Sequence, residues 1–390
     1  MNNLLTEIAQ ATALREGPEG VALVLRTIYQ AENITLRDLS RQVRLPIPVL
    51  AAMRRELERA GIIDRQAGLT LTQQGQDFVE HILLVQTRHD ATCPTCRGQR
   101  IILGEEFTPL VQRLEHYSRQ LPRVDVTLDQ TPCTSETSLR RALYMYQAGA
   151  IEGKNVIFVG DDDTVCVAVA LLGKALGRSR LCQKLTVVET DTRFIKYIQD
   201  IAQAEEVEIE CIEHDLRNPL PEQLHCCYDT FETDPPYTYD GFNLFVSRAV
   251  SSLKTGLGQQ GFISYGARDP DAFLAVLRSM VRMGLVVQEI IPTFNQYRGA
   301  SLLGGISQLL HIVTSQQTVL TNAAPWNERR LYTGRSAATS RLYHCIQCDT
   351  ACSVGQGQAH QTIETLKTAG CPTCGHKRFR YHGRNASPET

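Results

Sequence analysis

Lys154-Asn-Val-Ile-Phe-Val-Gly-Asp-Asp-Asp163 decides the fold of this 390-residue chain. Val156 to Val159 is an unbroken apolar run, the pattern of a strand buried on both faces of a parallel sheet. It ends in Gly160 and three successive carboxylates, after which Val165, Val167, Ala168, Leu171 and Leu172 read as the following helix. In open α/β sheets, ligands bind at the carboxyl ends of such strands, where strand order reverses. Three acids in that first loop repel phosphate and suit a cation. Complementing the helix dipole accounts for one or two of them, less readily for three.

Composition bounds the rest. The length suggests two or three domains, and 43% hydrophobic content is enough to fill real cores. A formal net charge of -2 gives no global pull towards nucleic acid or anionic membrane. No run of about 18 apolar residues occurs, so no membrane span is expected. The start, Met1-Asn-Asn-Leu-Leu, lacks the basic and apolar regions of a signal peptide. Thirteen cysteines, several in C-x-x-C pairs, then favour metal binding in a reducing cytoplasm.

Residues 1–90 read as a winged helix. A short amphipathic helix is expected to end near Gly17-Pro18, and helices follow from Val21, from the N-cap Thr35 and from Pro46 to Gly61. Ile62-Ile-Asp64 and Leu69-Thr-Leu-Thr72, joined around Gly68, make the wing. The front of the third helix carries Pro46, Ile47, Pro48, Val49, Ala51 and Ala52, which neither read base edges nor grip phosphate. Arg54, Arg55 and Arg59 alternate with Glu56 and Glu58, as on a solvated face. The domain is therefore read as a packing or dimerisation module. A homodimer is expected, and nucleic acid is not an expected partner.

Residues 91–150 connect this domain to the sheet. Cys93-Pro-Thr-Cys96 is half of a metal knuckle, a redox pair or two buried thiols, with the metal half-site preferred. Helices are expected from Phe107 to Leu121 and from Ser138 to Ala148. Between them, Asp129, Gln130, Glu136 and Thr137 read either as a lid or as a helix-capping segment, and the sequence leaves both open.

The sheet domain, 151–316, continues with a strand ending at Glu189 and Asp191, positions suited to ribose hydroxyls. A third strand from Val207 leads to Asp215, suited to an exocyclic adenine amine. The fourth runs into Asp234-Pro235-Pro236-Tyr237. Two prolines hold the acid before them and the ring after them at fixed places. D-P-P-Y loops recur in enzymes that alkylate amino nitrogens. Thr293 to Ser301 reads as a loop over the site, and 317–341 as a linker. In the tail, 342–384, Cys345-x-x-Cys348 and Cys371-x-x-Cys374 have the spacing of a structural zinc ribbon.

Together Glu136-Thr137, Gly153-Lys154, Gly160-Asp161-Asp162-Asp163, Asp234-Pro235-Pro236-Tyr237 and Tyr297-Arg-Gly-Ala300 resemble the branched-chain polyamine synthases over residues 20 to 315. The resemblance implies an α/β fold: a Rossmann-like, methyltransferase-type sheet behind an N-terminal winged helix. The zinc-ribbon-like tail lies outside it. It further implies an aminopropyltransferase that takes its group from decarboxylated S-adenosylmethionine and delivers it to the central secondary amine of spermidine. Gly160, Asp161, Glu189, Asp191 and Asp215 are then expected around the nucleoside donor. Asp163, Asp129, Glu136, Pro235 and Tyr297 are expected around the polyamine. Asp234 is the first choice of proton acceptor and Asp162 the second, with Tyr237 orienting the amine. The acid loop also penalises the carboxylate of S-adenosylmethionine itself. Two rival readings are a D-P-P-Y amino-methyltransferase and a winged-helix regulator that senses a nucleoside.

Overall fold

The computed structural model describes the chain except residues 1–2, 32, 66–67, 86–92, 97, 267–268, 299–304, 320–330, 333–339, 356–357, 361–362 and 386–390. The chain divides into two compact units, one of Met1–Val126 with Gln130–Leu331, the other of Thr127–Asp129 with Tyr332–Thr390.

The first unit begins with α1 (Asn3–Ala11), α2 (Gly17–Ala31), α3 (Leu36–Val43) and α4 (Ile47–Arg59), followed by β1 (Ile63–Arg65), β2 (Leu69–Leu71) and α5 (Gln73–Asp77). Gly17-Pro18, expected to end a helix, instead starts α2. Proline suits a first helical turn, because its fixed φ is already helical and its missing N–H would have no partner there. Thr35 caps α3 by accepting from the Asp38 amide. Leu50, Met53 and Leu57 recur along one face of α4 and are buried. The wing pairs β1 and β2 antiparallel, Ile63 opposite Leu71. Arg54 pairs with Glu58 and Arg59 with Glu56, as the interleaved charges suggested. This winged helix and the sheet domain share the unit, and Arg15 reaches Asp269 at 2.7 Å.

Next come α6 (Thr108–Ser118) and α7 (Ser135–Gln147). The second helix starts three residues earlier than periodicity suggested, because Thr134 caps it onto the Thr137 amide. The sheet domain runs β3 (Asn155–Val159), α8 (Val165–Ala175), β4 (Lys184–Glu189), α9 (Thr192–Ala204), β5 (Glu210–Glu213), β6 (Thr230–Thr233), α10 (Tyr239–Ser252), β7 (Gln260–Tyr265), α11 (Pro270–Arg282), β8 (Leu285–Gln296) and β9 (Ile306–Thr314). Seven strands lie in the order β5-β4-β3-β6-β7-β9-β8. The first five are parallel, and β9 enters antiparallel between β7 and β8. Strand order reverses between β3 and β6, which pair directly, Phe158 opposite Glu232. That crevice is where a ligand is placed in such sheets. Val156 to Val159 are fully buried, as the apolar run demands.

Two expectations are corrected. The third strand begins at Glu210, not Val207. Thr293 to Gln296 is strand rather than loop, since Asn295 pairs with Ser307 and Gln296 with Ile306 beyond a bulge. Asn295 in it points inward to Arg141 and Ser307, which a reading of polarity as exposure misses. Gly299 to Ser301, the rest of that expected loop, and most of the expected 317–341 linker lie outside the described residues.

The second unit holds β10 (Ser340–Cys345), β11 (Ala351–Val354), α12 (Ile363–Ala369) and β12 (Phe379–Asn385). Its sheet has the order β11-β10-β12, over a small core of Cys352, Val354 and Leu366.

Candidate active site

Gly160 ends β3 with φ +71, and a Cβ there would lie 3.0 Å from the Phe245 ring, so only glycine fits without strain. The three acids that follow have different fates. Asp161 is buried, and its two oxygens accept from the amides of Val165 and Cys166. It thereby caps α8 in place of Thr164, which makes no side-chain cap bond. Burial lifts its carboxyl to about 7. Asp162 is half-buried and accepts from the Thr131 amide at 2.9 Å. Burial, then the charges of Asp163, Asp234 and Glu189, push its carboxyl well above the usual carboxylate range. Asp163 is buried and accepts from the Cys133 amide at 2.5 Å and from Arg141 at 2.6 Å.

Arg141 organises the site, and sequence reading missed it. It projects from α7 with 1% exposure. Each of its five N–H donors has a partner. Nε donates to Asn295 at 2.8 Å, Nη1 to Asp163 and Glu232, and Nη2 to Asp234 at 3.0 Å and the Tyr297 hydroxyl at 3.1 Å. One signal was available: Glu232 stands inside a buried strand, and an isolated acid there demands a cation.

Asp234 lies beyond the end of β6, and Thr233 before it ties that strand to β3 through the Val159 carbonyl. Burial raises the Asp234 carboxyl to about 7 against the opposing pull of Arg141, with Asp163 adding to the rise. Tyr297 donates to Asp234 at 2.5 Å, and Tyr237 donates to the Tyr297 oxygen at 3.0 Å. Tyr237 packs edge-on against Tyr265, while Pro235 is buried. Asp162, Asp163, Asp234, Tyr237 and Tyr297 are thus brought into one connected cluster with Arg141 and Glu232.

On the donor side, Glu189 is buried and accepts from the amides of Asp161, Thr190 and Asp191. A carboxylate has about four acceptor positions, so one remains. Asp191 caps α9, and its bond from the Arg193 side chain holds it down at about 2. Gln130 also donates to it, at 3.0 Å. Asp215 follows β5 and is clamped by Arg217, which lowers its carboxyl. Glu136 is exposed and paired with Arg140, apart from the cluster. Asp129 belongs to the second unit and has left-handed backbone, φ +59.

In the second unit, the sulfurs of Cys345, Cys348, Cys371 and Cys374 all lie within 4.8 Å of one another, and two of the pairs are 3.5 Å apart. Tetrahedral zinc with bonds of about 2.3 Å places sulfurs roughly 3.8 Å apart, so the set fits. Cys93 and Cys96 join no such cluster among the described residues.

Residues 109–332 match the family model for the branched-chain polyamine synthase A C-terminal domain, and residues 21–69 match that of the MarR family. The chain is 34% identical over 380 residues to an uncharacterized protein of Methanocaldococcus jannaschii, covering 97% of this chain and 92% of the relative. It is 28% identical to the N(4)-bis(aminopropyl)spermidine synthase of the same organism, over 76% of this chain and 83% of the relative. It also resembles the crystal structure of a branched-chain polyamine synthase mutein from Thermus thermophilus in complex with N4-aminopropylspermidine and 5'-methylthioadenosine. There the TM-score is 0.68 at 25% identity, covering 85% of this chain and 96% of that one.

Proposed function

This chain belongs to the branched-chain polyamine synthase family, and from that premise we propose that it aminopropylates the central secondary amine of spermidine. The group comes from decarboxylated S-adenosylmethionine. The neutral amine attacks the aminopropyl carbon next to sulfur, and the C–S bond breaks with its electron pair going to sulfur. Methylthioadenosine leaves as a neutral thioether. The new ammonium gives its proton to Asp234, which passes it to solvent.

One observation carries the reading: Asp163, Glu232 and Asp234 gather around a single guanidinium whose five donors are already used, and Asp162 feels the charges of Asp163 and Asp234 beside it. The cluster therefore holds more acids than its one guanidinium can balance, which suits the ammonium of the donor and the cationic acceptor. Arg141 has no N–H left for a donor carboxylate, and the acids repel one. Asp234 is the proton acceptor, since its raised affinity for protons matches a base working near neutral pH. Tyr237, linked to it through Tyr297, orients the amine. Asp162 and Asp163 hold the polyamine, and Glu189 takes a ribose hydroxyl with its remaining acceptor position. Positioning and electrostatics supply most of the acceleration.

Zinc on the four tail cysteines would knit the loops of the ribbon together and has no step in the transfer. We assign the chain to the cytoplasm as a homodimer, with the winged helix as the packing element; light scattering on the purified protein reads the assembly directly.

The deciding experiment incubates the protein with spermidine and either donor. Methylthioadenosine and a heavier, branched polyamine are expected from decarboxylated S-adenosylmethionine. Production of S-adenosylhomocysteine from S-adenosylmethionine, with no methylthioadenosine, would replace the reading by a methyltransferase.

A further inference from the structure

Buried arginines whose every donor is used are not substrate ligands, and this one faces acids from several elements. The loop after β3 supplies Asp163, with Asp162 beside it; β6 and its following loop supply Glu232 and Asp234. Strand β8 supplies Asn295, and Tyr297 follows that strand. Tyr297 in turn contacts Tyr237 and, on β9, Ser307. Cys133, just before α7, completes the surroundings through its contact with Asp163. The side chains of Arg141, Asp163 and Glu232 are each at most 3% exposed. Water therefore cannot stand in for the guanidinium.

We infer that Arg141 is a positioning residue: an internal counter-ion that pairs with and aims the buried carboxyl groups of Asp163, Glu232 and Asp234, without touching either substrate. An acid cluster built to attract polycations is self-repelling when empty. Without a cation of its own it would take up protons and lose the charge that draws the acceptor. A fixed guanidinium tucked behind the acids opposes the effect of burial on Glu232 and Asp234 and holds their proton affinity below what burial alone would set. The chemical role of Asp234 in this picture rests on the aminopropyltransfer reading; the counter-ion role does not.

The first readout needs no substrate. Arg141→Met removes the charge that opposes burial at Glu232 and Asp234, so their proton affinity in the folded state, already above that in the unfolded chain, rises further. Such groups favour the folded state at low pH and lose that contribution as pH rises. The melting temperature of Arg141→Met is therefore expected to fall progressively below wild type from pH 5.5 to pH 9. Arg141→Lys keeps the charge and should track the wild-type curve at a constant offset. A constant offset for the methionine variant as well would overturn the inference, since lost packing alone is indifferent to pH. Where the methionine variant does not fold at any pH, Arg141→Lys decides the matter, and a pH-dependent loss in that variant has the same overturning force.

The second readout is turnover. The acid limb of kcat/KM should move up by at least about one pH unit in Arg141→Met, as expected when an opposite charge next to a carboxylate is removed. In Arg141→Lys the limb should stay in place while kcat falls. A wild-type protein that makes no methylthioadenosine sinks the proposed reaction but not the counter-ion; parallel melting curves sink the counter-ion but not the reaction.

Discussion

The hydroxyl of Tyr297 lies 2.5 Å from the carboxylate oxygen Oδ2 of Asp234, and 63 residues of chain separate the two. Tyr297 accepts in turn from Tyr237, so two phenols and a carboxylate form one relay beside the guanidinium of Arg141. Removing the central hydroxyl leaves Asp234 without its strongest neutral donor. Tyr297→Phe is expected to lower kcat by about 10- to 100-fold, the worth of a hydrogen bond to a charged group. Steady-state kinetics at saturating donor measures it; an unchanged kcat would remove the relay from the reaction.

Asp234→Asn keeps the shape of the site and removes its base. Loss of a positioned general base costs about 100- to 10,000-fold in kcat. Methylthioadenosine affinity, read by calorimetry, is expected to stay close to wild type. Turnover at the wild-type rate would acquit Asp234.

In the wild type, kcat/KM should rise with pH through about 7, because the Asp234 carboxyl, lifted by burial, must lose its proton before it can accept one from the amine. The limb belongs to the coupled acids as a group. A profile flat from pH 5.5 to 8 would place the base elsewhere.

Donor choice should depend on the acid loop. The wild type is expected to prefer decarboxylated S-adenosylmethionine to S-adenosylmethionine by at least about 100-fold in kcat/KM, given that opposing like charges cost several kcal/mol. Asp162→Asn should narrow that ratio. A variant with undiminished discrimination would show that another feature rejects the carboxylate.

Gly160→Ala tests the turn that aims the acids. Left-handed backbone costs a side chain about 1–2 kcal/mol, and the Phe245 ring at 3.0 Å must also give way. A lowered melting temperature is expected, together with weaker donor binding. Metal analysis of the purified chain should find one zinc, lost in Cys371→Ser along with the protease resistance of the ribbon.

Much of this protein was legible in its residues alone. The apolar run before Gly160, the prolines after Asp234 and the paired C-x-x-C motifs announce strand ends and a metal module through local stereochemistry. Helix entries were harder. Gly17-Pro18 opens a helix although the pair usually marks an end, and Thr134 extends α7 beyond its apolar period. Polarity misled at Thr293 to Gln296, where Asn295 is fully buried.

By itself, then, the sequence determined the order of strands and helices, the anionic loops at the sheet's edge and the likeness to polyamine synthases, because each depends on neighbours within a few positions. Only the tertiary structure decided what each acid does. Asp161 turns its carboxylate back onto its own helix, Asp191 holds Arg193, and Asp163 and Asp234 share Arg141 across separations of 22 and 93 residues. Charge is carried by single residues, but its effect falls off with distance in space rather than along the chain, and folding alone sets those distances.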